Sequence, residues 1–117
     1  MTLTEVIKGD FMSQHRADRI RVETVEELAQ RGGLTPPQSA INVDSEQQRN
    51  TIRSLWGANA FVAYATCLSP SERREQIATS FSDFLGDLMH TADALGIDFE
   101  EAADDARGNY QEEIDGF

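Results

Sequence analysis

Lysine is almost missing from this 117-residue chain: Lys8 is the only one, and the other nine strong bases are arginines. So few lysines beside 21 acids fit a GC-rich genome or a saline habitat equally well. Cysteine is as scarce. A lone Cys67 excludes an intramolecular disulfide and a cysteine zinc site, and it suits a reducing compartment. No run approaches the length of apolar chain needed to cross a bilayer as a helix. The start, Met1-Thr2-Leu3-Thr4-Glu5, lacks the basic residues and apolar run of a signal peptide. The expectation is a soluble cytoplasmic protein with no membrane partner. Chemistry-bearing loops are missing too: there is no glycine-rich phosphate loop, no Gly-x-Ser-x-Gly and no Cys-x-x-Cys. The one glycine pair, Gly32-Gly33, has no Lys-Ser or Lys-Thr behind it.

Acids are present in excess and are unevenly placed. Residues 81–117 hold eleven Asp and Glu against one base, Arg107, whereas residues 1–80 are nearly balanced, with ten acids and nine bases. A surface of this sign repels phosphate backbones, so the C-terminal third is not expected to touch nucleic acid directly. It suits a cation, a basic protein surface, or simply a well-solvated exterior. Six Phe, two Tyr and Trp56 supply enough apolar volume for one modest core, which argues for a single domain over residues 1–117.

Periodicity predicts an all-α bundle of four to five helices. Ser69-Pro70-Ser71-Glu72 is a capping-box start with proline in the first turn. From there Ile77, Phe81, Phe84, Leu85, Leu88, Met89, Ala92 and Leu95 form one apolar stripe on a single long helix. Gly96 supplies a left-handed stop, with Ile97 beyond it to fold back. Asp98-Phe99-Glu100-Glu101 starts another helix, whose stripe is Phe99, Ala102, Ala103, Ala106, Tyr110 and Ile114. A two- or three-residue turn between these helices demands an antiparallel hairpin. Upstream, Asp44-Ser45-Glu46-Gln47 begins a helix to about Leu68. Its residues from Leu55 on are apolar nearly all round, as in a central buried helix, with Gly57 as a possible close crossing and Cys67 as packing. In the less regular segment 1–43, Thr2 to Phe11 can form a short helix. The alternation around Ile20 and Val22 admits a short strand. Thr24-Val25-Glu26-Glu27 caps a brief helix ending at Gly32-Gly33, and Leu34 to Val43, with Pro36-Pro37, reads as a loop.

The densest chemical constellation is Asp83, Asp87 and His90. At 100° per residue these three fall within about 60° of one another on one helix. Carboxylates and imidazole in a row are metal-ligand types. The row sits roughly 140° from the centre of the apolar stripe, so a second helix or subunit would have to complete any site. The competing interpretation is a solvated acidic face. Glu100, Glu101, Asp104, Asp105, Glu112 and Glu113 form a second candidate, an acidic face for a basic partner.

With the two C-terminal helices placed, Asp83-Phe84-Leu85-Gly86-Asp87-Leu88, then Ala92 and Leu95-Gly96-Ile97-Asp98-Phe99-Glu100-Glu101-Ala102, resembles the second half of MazG-type nucleoside triphosphate pyrophosphohydrolases. It also resembles strings in uncharacterised small phage and mobile-element proteins. The MazG resemblance implies an all-α fold, self-association, and magnesium held by paired Glu-x-x-Glu and Glu-x-x-Asp motifs on neighbouring helices. Asp87 matches the terminal Asp of the second motif, the glutamate position is Phe84, and Asp83 precedes it. Three functions follow. The first is a non-catalytic, self-associating binding or regulatory protein of phage or mobile-element type. The second is a magnesium-dependent nucleotide pyrophosphohydrolase. The third is an acidic mimic of DNA that inhibits a nucleic-acid-binding host-defence complex.

Overall fold

A computed structural model describes residues 15–31, 43 and 45–116. Among the described residues the fold is all-α. Its helices are α1 (Val25–Gln30), α2 (Glu46–Ala65), α3 (Pro70–Arg73), α4 (Ile77–Leu95) and α5 (Phe99–Asp115). The helix expected over Thr2 to Phe11 and most of the loop from Leu34 to Val43 lie outside the described residues.

Four of the five helix starts are explained by a local donor–acceptor match. The Thr24 side chain accepts from Glu27 N–H at the head of α1, and Ser45 accepts from Gln48 N–H at the head of α2. Ser69 and Glu72 exchange both bonds of a capping box at α3. Asp98 Oδ1 accepts from Glu101 N–H at 3.1 Å and opens α5. Between α4 and α5 the turn is a complete Schellman closure. Gly96 sits at φ 71°, Ile97 N–H donates to Ala92 C=O at 2.9 Å, and Gly96 N–H donates to Asp93 C=O at 3.2 Å. The hairpin expected here is the one found, with α4 and α5 in contact and both packed against α2.

The long helix expected from Ser69 to Leu95 is instead broken in two. Ser71 to Gln76 contains no apolar residue, so nothing ties that turn to the core, and the helix lapses at Arg74. It restarts at Ile77 without a side-chain cap. The extended segment before α1 takes over that role: Ile77 N–H donates to Glu23 C=O at 2.8 Å, beside an isolated antiparallel bridge between Thr24 and Gln76. Ile20 and Val22, which admitted a strand, lie in irregular chain and pack on the core without joining a sheet.

The core is small and lies where α1, α2 and the start of α4 meet. Val25, Leu28, Phe61 and Ala65 are buried together. Around them Phe61 stacks on Phe84 with ring centroids 5.5 Å apart, Phe81 meets Phe61 edge-on at 5.3 Å, and Tyr64 lies tilted on Phe84 at 4.8 Å. A polar clasp joins α2 to α5. Buried Asn50 donates through Nδ2 to the carbonyls of His15 and Glu113 and accepts from Arg53, while Arg53 pairs with the Glu113 carboxylate at 2.7 Å.

Three expectations about α2 and its end need correction. The helix buries Asn50, Phe61 and Ala65 on one face and Ile52 on the opposite one, and leaves Trp56, Gly57 and Ala60 exposed, so it is not buried all round. Gly57 marks no close crossing among the described helices, since a side chain there would meet none of the described residues within 4 Å. Cys67 falls past the helix end and is exposed, so it does not pack in the core.

Candidate functional site

Tyr64 brings the C-terminal half of α2 onto the face of α4 that carries Asp83, Asp87 and His90. Its ring is held by Phe84, and its hydroxyl donates to Asp87 Oδ2 at 2.8 Å. Leu68 and Glu72 come from the connection and α3. The result is an open groove of about 340 Å³ lined by Tyr64, Glu72, Ser80, Asp83, Asp87 and His90 among others. The break between α3 and α4 matters here, because it takes Glu72 off the axis of α4 and sets it across the groove. Spacing alone places Asp83, Asp87 and His90 in one line, and the structure agrees; all three are exposed.

The negative field in the groove is visible at Tyr64. Its phenol is pushed up to about 12, first by the hydrogen bond to Asp87, then by partial burial and the charges of Asp87, Asp83 and Glu72. Ser80 is buried at the base of this face, and its Oγ has no hydrogen-bond partner among the described residues. Neither Tyr64 nor Ser80 carries a sequence signal. Tyr64 reads as one more apolar position of α2, and its partner lies 23 residues away on another helix.

The magnesium implied by the MazG resemblance requires acids converging from two helices. Among the described residues, no group of three or more His, Cys, Asp or Glu side chains is arranged to hold a metal ion. Asp87 is engaged by Tyr64, the residue in the family's glutamate position is half-buried Phe84 in the aromatic cluster, and α2 presents no acid beyond Glu46. The side chains as placed do not fit the ion, and no step is assigned to it.

The second candidate surface is α5. Glu100, Glu101, Asp104, Asp105 and Glu112 are exposed and fall within an arc of about 140°. Asp104 is bonded to Arg107 at 2.7 Å, both well exposed. Glu113 lies outside that arc and works differently, since its carboxylate and its carbonyl both belong to the clasp with Arg53 and Asn50. It anchors the helix to α2.

No family model, curated protein or solved structure matches this chain. None of the described helices is long and apolar enough to cross a membrane.

Proposed function

We propose that this protein is a non-catalytic cytoplasmic binding protein whose α5 acids receive the basic surface of a protein partner. The observation that carries this reading is the exposed arc of Glu100, Glu101, Asp104, Asp105 and Glu112, with Arg107, the only base of α5, at its edge. Carboxylates so placed are already hydrated and exposed, so a partner's Arg and Lys meet them with a long-range attraction that speeds encounter. A basic groove shaped for nucleic acid is one such partner surface, and occupying it would exclude the nucleic acid. Turnover receives less support, because the groove acids do not converge on a metal-binding geometry.

The test combines four substitutions, Glu100→Gln, Glu101→Gln, Asp104→Asn and Asp105→Asn, with an arginine-rich peptide as probe. Wild-type binding should fall as salt rises, and the fourfold variant should bind at least about tenfold more weakly, since several screened pairs of roughly 0.5 kcal/mol each are lost. Binding that survives both changes would sink the electrostatic account. Release of pyrophosphate from a nucleoside triphosphate with Mg²⁺, abolished by Asp87→Asn, would replace this reading with the hydrolase.

A further inference from the structure

Behind the acid arc, the other side of α5 faces α2 across a cavity of about 440 Å³. Tyr110, Glu113 and Ile114 line it from α5, within about 100° of one another and opposite the acids on the helix wheel. Arg53 lines it from α2, and Arg16 and Ala17 line it from the segment before α1. Arg16 reaches onto α5, where its Nη1 donates to the Tyr110 hydroxyl at 2.9 Å.

Charge sets this cavity apart from the groove at Tyr64. That groove is lined by three carboxylates and no arginine or lysine. Here two arginines face one acid. Arg53 is committed, through Nε to the Glu113 carboxylate and through Nη1 to Asn50 Oδ1. Arg16 is not. Among the described residues it has no acid partner, and its bond to Tyr110 uses one of the five N–H groups of the guanidinium. The cavity thus holds one uncompensated positive charge in a chain whose net charge is −11. Tyr110, which accepts from Arg16, keeps its own hydroxyl proton to donate.

A guanidinium fork beside a phenol is a donor set for a planar carboxylate, with parallel N–H bonds from the arginine and an O–H bond from the tyrosine. A single negative charge also matches the one positive charge left open. A phosphate monoester carries nearly two at neutral pH and would set the second against Glu113. Beyond the donors the walls are apolar, made by Ala17, buried Ile114 and the Tyr110 ring, and they suit a compact hydrocarbon body. We propose that this cavity binds a small carboxylate with a compact apolar body, held by Arg16 and Tyr110. The bound molecule touches the segment before α1, α2 and α5 together, so it stabilises the folded chain. The site stands apart from the acid face of α5 and does not rest on the function assigned to that face.

The experiment is titration of the full chain with benzoate and with isovalerate, followed by backbone amide NMR shifts and by melting temperature. Benzamide serves as the uncharged analogue and inorganic phosphate as the other anion. The expected result is saturable binding of at least one carboxylate with a Kd of about 1 mM or tighter. Shifts should gather at Ala17, Tyr110 and Ile114, the melting temperature should rise, and benzamide should bind at least about tenfold more weakly. Arg16→Gln should weaken carboxylate binding at least about tenfold and Tyr110→Phe at least about threefold, each with unchanged helical circular dichroism. Should one of the two not fold, the other decides. Weaker binding of both carboxylates overturns the proposal, as do equal affinity for benzamide, shifts gathered elsewhere, or full affinity in the folded variants. Phosphate that binds more tightly than either carboxylate and is lost in Arg16→Gln overturns the choice of carboxylate. The fourfold α5 variant should bind the carboxylates at least as well as wild type, so failure of the acid-face reading and failure of this one give different results.

Discussion

The Tyr64 hydroxyl bonds α2 to α4 across the groove. Tyr64 donates to Asp87, and the surrounding carboxylates of Asp83 and Glu72 raise the cost of removing the phenolic proton. Alkaline absorbance titration should therefore resolve a tyrosine that ionises near pH 12, and Asp87→Ala should bring it down toward the ordinary value of 10. The folded phenol holds its proton more tightly than the unfolded one. Its contribution to stability is thus fully present below pH 10 and is lost as pH rises through about 12. A phenol in Asp87→Ala that still titrates as late as in wild type would show that the carboxylate is not the cause. Asp87 was legible in the sequence as the middle of the row Asp83, Asp87 and His90. Tyr64 was not, because the identity of its partner depends on how two distant helices cross.

Helix ends show how far local chemistry reaches. Ser69, Thr24 and Asp98 all act as the caps their sequences announce, and Gly96 adopts the left-handed conformation its position demands. At Gly96 a side chain would meet no neighbour within 4 Å, so the cost of Gly96→Ala is backbone strain alone. It should be about 1–2 kcal/mol by chemical denaturation, with the hairpin otherwise intact. A neutral result would mean that the Schellman turn is not formed. The α3–α4 break has no equivalent announcement. A capping box signals that a helix begins, and nothing in it says how far the helix runs. The run ended because residues 71–76 offer nothing to bury, and Glu23 supplied the acceptor that let a new helix start at Ile77. The apolar stripe of α4 divides in the same way, with Phe84 and Ala92 turned inward and Leu85, Leu88 and Leu95 left outside. Periodicity marks a stripe as apolar without saying which of its residues the rest of the fold will bury.

Across the whole molecule, charge works against compactness. A chain at −11 with most of its excess on α4 and α5 repels itself. Against that repulsion stand the Arg53–Glu113 pair and the hydrogen bonds of Asn50, which bind α5 to α2. Added salt should raise the melting temperature, by on the order of a few degrees between about 50 and 500 mM. A melting temperature that falls instead would show that screening costs more at the Arg53–Glu113 clasp than it relieves elsewhere.

Composition, capping residues and apolar spacing by themselves determined the fold class, the α4–α5 hairpin with its turn, and the line formed by Asp83, Asp87 and His90. These depend on interactions within a few residues of chain, where sequence distance and spatial distance coincide. Only the tertiary structure decided that the helix after Ser69 breaks, that Glu113 anchors while Glu112 faces solvent, that Cys67 lies outside the core, and that Leu85, Leu88 and Leu95 of the α4 stripe are exposed while Phe84 and Ala92 turn inward. Each of these turns on which distant backbone carbonyl, arginine or ring arrives beside a residue, and that is set by the packing of helices and not by the order of residues along any one of them.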